Sequence, residues 1–107
     1  MADRDLAHVE AYLTWLAVER GRAANTLAAY RRDLTQYLQW LDSAGETVGT
    51  ATTEDVERFV ESLRGAGLAA STVARRTVVV RGLHRFLAAD ERLDHDPTVR
   101  VETPRRP

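Results

Sequence analysis

The sequence predicts an all-α fold, namely a compact domain of four helices followed by a C-terminal linker. Apolar residues recur at spacings of three and four through most of the chain, which is the period of an amphipathic helix. Glycine-containing stretches near residues 21, 45–49 and 65–67 separate these apolar segments. A length of 107 residues without cysteine suits one domain with a single core and no disulfide framework.

The first two helices follow from their apolar stripes. The first spans roughly residues 4–19 and ends at Gly21. The second begins near Asn25 and Thr26, two residue types favoured at helix N-caps, and runs to about Asp42. Its stripe consists of Leu27, Tyr30, Leu34, Leu38 and Leu41.

The third and fourth helices are marked by different signals. The third begins at Thr52, where a cap residue precedes the acidic Glu54 and Asp55, and ends at the glycines near residue 65. The fourth covers about residues 71–89. Its β-branched run at residues 77–80 has strand propensity, but the apolar spacing across the whole segment favours a helix. Gly82 inside that helix costs on the order of 1 kcal/mol relative to alanine.

The charge alternates along the chain, although the net charge is only −1. Residues 20–40 carry four arginines and one acid, and residues 64–86 carry five arginines and no acid. Residues 1–19 and 41–63 are net acidic. Folding can bring two basic blocks onto one surface, so the near-neutral total does not exclude a nucleic-acid partner.

On a helical wheel, the fourth helix separates into two faces. The apolar face contains Val73, Thr77, Val80, His84 and Leu87. The polar face contains Ser71, Arg75, Arg81, Gly82 and Arg85. Two interpretations stay open. Three arginines alone are more often a solvated face, but the absence of acids from 62 to 89 favours a face that follows a nucleic-acid groove, with Gly82 allowing close backbone approach.

The second helix shows a similar polar face. Arg32 lies opposite the apolar stripe, beside small and polar residues, and Arg31 lies at the flank. Asn25 and Thr26 suit capping, phosphate binding or both. Arg76 points toward the apolar side of the fourth helix, where it either extends from the core edge or pairs with an acid of the third helix.

No catalytic or metal-binding constellation is recognisable. His8, His84 and His95 have no metal-ligand spacing, and His84 is expected in the core. The acidic turn around His95 is expected to be solvated. No catalytic residue, metal or cofactor is therefore predicted. The chain shows neither a signal peptide nor a long apolar segment, so a cytoplasmic location without membrane contact is expected.

Three stretches, taken in order, resemble a known family. Residues 25–34 with Trp40 and Leu41 resemble the second helix of the N-terminal, SAM-like core-binding domain of Xer-type tyrosine recombinases and integrases. Residues 71–75, 80–81 and 86–87 resemble that domain's last long helix. Residues 96–97 and 103–105 resemble its exit into an interdomain linker.

The resemblance implies a DNA-binding domain that forms half of a C-shaped clamp around a recombination half-site. A separate catalytic domain would cleave and rejoin the DNA, so the chain itself is expected not to be an enzyme. It also implies a partner recombinase in a tetramer and a role in chromosome dimer resolution, hence in chromosome partition and cell division. Residues 1–96 are expected to form the domain, monomeric in isolation, and residues 97–107 the linker. The DNA-facing residues it implies are Asn25, Thr26, Arg31, Arg32, Ser71, Thr72, Arg75 and Arg81, to which the helical wheel adds Arg85.

Two alternatives come from other functional classes. One is a helical protein-interaction module that docks a basic partner through the acidic residues 41–63. The other is a helix-turn-helix transcription regulator, which is disfavoured because residues 65–70 form a long turn and no dimerisation helix is evident.

Overall fold

Four helices make up the regular structure of residues 1–104, which are the residues that the computed structural model describes. They are α1 (Asp3–Glu19), α2 (Ala24–Ser43), α3 (Thr53–Gly65) and α4 (Ala70–Ala89). The all-α prediction is confirmed, with helix boundaries within about two residues of those expected. The end of the predicted linker, residues 105–107, lies outside the described residues.

The helix starts agree only partly with the predicted caps. Thr52 caps α3 as expected, because its Oγ1 accepts from the Asp55 amide at 3.1 Å while the Asp55 carboxylate accepts from the Thr52 amide at 3.0 Å. The N-cap prediction for Asn25 and Thr26 is wrong. Since α2 starts at Ala24, Ala23 is its N-cap and provides no side-chain cap.

The β-branched run of α4 is helical because the core buries three of its four residues, while Val78 is 51% exposed. Val79 and Val80 are each 1% exposed, and Thr77 is fully buried. The Thr77 hydroxyl donates to the Val73 carbonyl at 2.8 Å, so its polar atom is satisfied inside the helix. Tertiary burial therefore outweighs the local strand propensity of this run.

The core is one apolar cluster to which all four helices contribute. Both α2 and α4 contact every other helix, so these two lie at the centre of the domain and pack against each other. His84 is fully buried on the inner side of α4, where its Nε2 lies 2.7 Å from the Tyr37 hydroxyl of α2. This confirms His84 as a core residue.

The segment after α4 folds back on the helices instead of leaving them directly. The Thr53 hydroxyl donates to the Pro97 carbonyl at 2.8 Å, and Val101 is 4% exposed within the core cluster. Residues 97–104, the described part of the predicted linker, thus pack against the helical domain. The boundary at residue 96 stays a prediction.

Candidate nucleic-acid interface

The two faces of α4 are divided as the helical wheel predicts. Ser71, Arg75 and Arg85 are exposed, and Arg81 is half-buried. The opposite face is at most 2% exposed, at Val73, Thr77, Val80, His84 and Leu87. The arginines of α4 therefore form an outer face over a fully buried inner one.

Gly82 has a different role from the one expected. A Cβ built on Gly82 overlaps the Tyr12 hydroxyl of α1. The close approach that the glycine allows is therefore made by Tyr12 of the same chain, and the expectation that DNA comes close to this backbone is wrong. Tyr12 packs with Trp15 and Phe86, with the Tyr12 and Phe86 ring centroids 5.6 Å apart.

One buried carboxylate on α2 holds two arginines of α4. Asp33 is 4% exposed and accepts from Arg75 through both oxygens, at 3.1 Å each. The Arg76 Nε lies 3.3 Å from the same carboxylate, and its side chain is 17% exposed. Arg76 thus pairs with an acid of α2, which corrects the expected pairing with α3. The Asp33 carboxylate neutralises part of the basic charge where α2 meets α4.

Arg31 is also paired. Its Nε and one terminal nitrogen donate to the two oxygens of Glu10 on α1, at 3.0 and 2.7 Å. This hydrogen-bonded ion pair lowers the pKa of Glu10 and raises the pKa of Arg31. Arg31, Arg75 and Arg76 are called the paired arginines below, since each is held by a carboxylate of this domain.

Arg81 contacts the C-terminal segment. One of its terminal nitrogens donates to the Thr103 hydroxyl at 2.9 Å. Thr103 also lines a cavity of about 300 Å³ between α2, α4 and this segment, together with Tyr30, Arg75 and Val78. Residues 103 and 104 therefore lie against the predicted DNA face, and the hydrogen bond from Arg81 to Thr103 holds them there.

Arg32 lies on the outer surface of α2, as predicted. An open groove of about 550 Å³ follows this surface, lined by Ala28, Arg31, Arg32, Thr35, Gln36 and Gln39. No ion pair within residues 1–104 involves Arg32. Its guanidinium is thus available along a row of small and polar side chains.

The side chains that are predicted to contact DNA through a hydroxyl or an amide group lie in the first turns of two helices. Asn25 and Thr26 follow the N-cap Ala23 of α2, and Ser71 and Thr72 follow the N-cap Ala69 of α4. Neither alanine provides a side-chain cap, so the first amides of both helices keep donor capacity. The packing of α2 on α4 places these two sets on adjacent helices.

Two arginines at the turn between α1 and α2 were not among the residues expected at this surface. The Arg20 guanidinium carbon lies 5.4 Å from the Trp15 ring centroid, and the Arg22 amide donates to the Leu16 carbonyl at 3.1 Å. Burial raises the pKa of Tyr12 to about 12, and the guanidinium groups of Arg22, Arg85 and Arg20 oppose that rise. Arg20 and Arg22 follow α1, and Arg85 directly precedes Phe86, whose ring packs on Tyr12.

Arg20, Arg22 and Arg85 are called the open arginines below. Like Arg4, Arg32, Arg81 and Arg100, they form no ion pair with a carboxylate in the part of the chain that the structure describes. They are grouped because they are near in the chain to the aromatic residues through which α1 packs on α4. Helical periodicity could not place the first two, since they lie in a turn. The sequence offered one signal for them. Gly21 lies between the two arginines and indicates a turn at this point of the chain.

Residues 1–104 contain no group of three or more acidic, histidine or cysteine side chains that could hold a metal ion. Across the same residues, no helix has both the length and the apolar character needed to cross a membrane.

Comparison with known proteins agrees with this description. A sequence model described as "Phage integrase, N-terminal SAM-like domain" matches residues 9–91. A protein of Rhizobium meliloti (strain 1021) named "Tyrosine recombinase XerD" is 38% identical over 106 residues, which is 99% of this chain and 34% of that protein.

Proteins with the same name occur among the other relatives. The one from Corynebacterium glutamicum is 41% identical over 99 residues, covering 87% of this chain and 33% of the relative. The one from Mycobacterium tuberculosis is 43% identical over 108 residues, covering 92% of this chain and 35% of the relative. The chain thus spans about a third of the length of the curated relatives it matches.

The family match covers most of the chain and includes all of α2, α3 and α4. It agrees with the four-helix architecture and with the order of the three stretches that resembled Xer-type recombinases. The chain belongs to the family of phage integrase N-terminal SAM-like domains.

Proposed function

We propose that this domain binds double-stranded DNA as the core-binding half of a clamp formed by a site-specific tyrosine recombinase. The observation that carries the proposal is the packing of α2 against α4, because these two helices hold the arginine-rich outer faces. The basic face is built on helices around a single core and does not depend on loop conformation. Family membership supports the same proposal.

The proposed contact set combines arginines with small polar side chains. Arginines reach phosphates and guanine edges, whereas hydroxyls and first-turn amides bind phosphate oxygens. Most contacts are expected to be with phosphates, so the domain positions the duplex and reads few bases. The set consists of Asn25, Thr26, Arg31, Arg32, Ser71, Thr72, Arg75, Arg81 and Arg85.

The activity of the whole protein belongs to the same proposal. The relatives named tyrosine recombinases are about three times as long as this chain, so strand cleavage is assigned to the part of their length that it does not span. In this proposal residues 1–96 bind one half-site, and residues 97–107 connect to the catalytic part. A partner recombinase completes a tetramer that resolves chromosome dimers.

Fluorescence anisotropy of a labelled duplex, titrated with the chain at about 50 and 200 mM salt, tests DNA binding. Binding is expected to be weak, because one half of a clamp lacks the avidity of both halves. It is also expected to weaken steeply with salt, as phosphate contacts require.

The double variant Arg75→Ala/Arg81→Ala is compared with Arg58→Ala/Arg64→Ala, which removes the same charge from α3. The first variant is expected to bind more weakly than the second. Its stability is checked by urea unfolding, since Arg75 contacts the buried Asp33 carboxylate. A folded wild-type chain that does not bind at 50 mM salt would contradict the proposal and favour the protein-interaction alternative.

A further inference from the structure

The open arginines belong to two segments that meet at one aromatic cluster near the turn from α1 to α2. The Trp15 and Phe86 ring centroids are 5.3 Å apart, and a Cβ on Gly82, one helical turn before Arg85, would overlap the Tyr12 hydroxyl. Arg20 lies over the Trp15 ring. Arg85 directly precedes Phe86 in α4, and Arg20 and Arg22 follow α1, so all three lie on the segments that these rings join.

The conformation of the turn fixes the backbone that carries Arg20 and Arg22. Gly21 has a φ of 61°, in the left-handed region that glycine adopts at little cost. The amide of Arg22 donates to the Leu16 carbonyl, which closes the end of α1 and fixes the turn. The two side chains thus extend from a hydrogen-bonded turn.

The way in which Arg20 is held preserves its charge. An aromatic ring positions a guanidinium by a cation–π interaction without neutralising it, and the N–H groups at the guanidinium edge remain free to donate two hydrogen bonds to one anion. A carboxylate, in contrast, positions a guanidinium and occupies those same donors. No carboxylate among residues 1–104 pairs with any of the open arginines.

Three guanidinium groups that lack carboxylate partners among residues 1–104, on segments that meet at one aromatic cluster, attract an anion with several acceptor oxygens. A DNA backbone offers such groups in a row, and Arg85 already lies on the α4 face that is proposed to bind DNA. We propose that Arg20, Arg22 and Arg85 form a phosphate-binding patch that extends the DNA contact of α4 onto the α1–α2 turn. This inference rests on the proposed DNA binding and adds Arg20 and Arg22 to it.

The test measures how affinity for a labelled duplex depends on salt, for the wild-type chain and for Arg20→Ala/Arg22→Ala/Arg85→Ala. The matched control is Arg58→Ala/Arg64→Ala/Arg100→Ala, which removes the same charge from α3 and from the segment after α4. Each lost phosphate contact lowers the slope of log K against log salt by about 0.9. The open-arginine variant is therefore expected to lose roughly two to three units of slope, and the control less than one.

A second variant, Arg22→Ala/Arg85→Ala, keeps Arg20 on Trp15 and so preserves the packing of the aromatic cluster. It is expected to lose between one and two units of slope, and circular dichroism confirms that it is folded. If the slope of log K against log salt decreases by less than one unit, or by no more than in the control, the inference is overturned while DNA binding stands. A wild-type chain that does not bind overturns both the inference and the proposed function.

Discussion

The paired and the open arginines carry the same charge on one small domain, yet their surroundings differ. Arg75 and Arg76 share the buried Asp33 carboxylate, and Arg31 is bonded to Glu10. Among the open arginines, Arg20 lies over the Trp15 ring, and none of the three has a carboxylate partner among residues 1–104. The first group joins α2 to α1 and α4, whereas no carboxylate among those residues compensates the charge of the second, which is the group proposed to bind phosphate. Charge on a surface therefore does not by itself distinguish a structural arginine from a binding one.

Replacing Asp33 by alanine breaks the paired group and is expected to have the largest effect. It leaves Arg76, which is 17% exposed, without its counter-ion. Removing one partner of a buried ion pair is strongly destabilising, and since Arg75 is 46% exposed we expect a loss of about 2–3 kcal/mol rather than more.

Urea unfolding measures this loss as a lower midpoint. Asp42→Ala on the same helix is the control, because Asp42 is 63% exposed and, among residues 1–104, pairs only with the Met1 amino group, at 3.5 Å. Its effect is expected to stay within about 0.5 kcal/mol. If the two variants have equal midpoints, Asp33 does not hold α4 on α2.

Lowering the pH is expected to destabilise the domain through His84 of α4, the helix that carries members of both arginine groups. Burial lowers the pKa of His84 to about 4, whereas an unfolded histidine titrates near 6.5. The unfolded state therefore takes up the proton first, and stability is lost as the pH falls from 6.5 toward 4. We expect a loss of about 2 kcal/mol between pH 7.5 and pH 5 from this group.

Histidine ring-proton NMR separates His84 from the other two histidines. Burial also lowers the pKa of His8, whereas the hydrogen bond to Asp94 raises the pKa of His95. Burial raises the pKa of the Asp5 carboxyl, which acts in the opposite direction on stability as the pH falls. A chain in which every histidine titrates at or above 6.5 would show that His84 is not buried as described.

Gly82→Ala tests the packing beneath the open arginines and has an intermediate effect. The new methyl group meets the Tyr12 hydroxyl, and this overlap exceeds the gain in helix propensity, so we expect a net loss of about 1 kcal/mol. Tyr12→Phe removes the clashing oxygen, so the same glycine substitution is expected to cost less in that background. If the two substitutions change the free energy of unfolding additively, the contact between Gly82 and Tyr12 is contradicted.

Glu10→Gln converts a paired arginine into an open one and is expected to have the smallest effect. An exposed ion pair contributes about 0.2–1 kcal/mol, so releasing Arg31 strengthens DNA binding by roughly 1.5- to 5-fold. The matched control is Glu61→Gln, which breaks the Arg64 pair on α3 and removes the same charge. Equal gains in anisotropy titrations of the two variants would mean that only net charge matters.

The fold could be predicted from the sequence because periodicity and helix ends are local signals. The helices, the buried side of α4 and the Thr52 cap all followed from neighbouring residues. The helix of residues 77–80 was predicted correctly, since its apolar spacing reflects the burial that outweighs strand propensity.

The interface was less predictable, because its electrostatics depend on partners distant in the sequence. Asp33 and Arg75 are 42 residues apart, and so nothing local shows that they pair. The same holds for the contact of Gly82 with Tyr12. Arg20 and Arg22 lie in a turn, where no periodicity assigns a face. Which residues contact DNA stays a prediction.

The most direct test of the central claim is the NMR spectrum of the arginine Nε–H groups while a short duplex is added at low salt. We expect the Nε–H signals of Arg20, Arg22 and Arg85 to shift first. The signals of the paired arginines are expected to follow with smaller changes, because carboxylates already occupy their donors. The signals of Arg58 and Arg64 on α3 are expected not to shift. A spectrum that does not change, or changes confined to α3, would contradict DNA binding by this face.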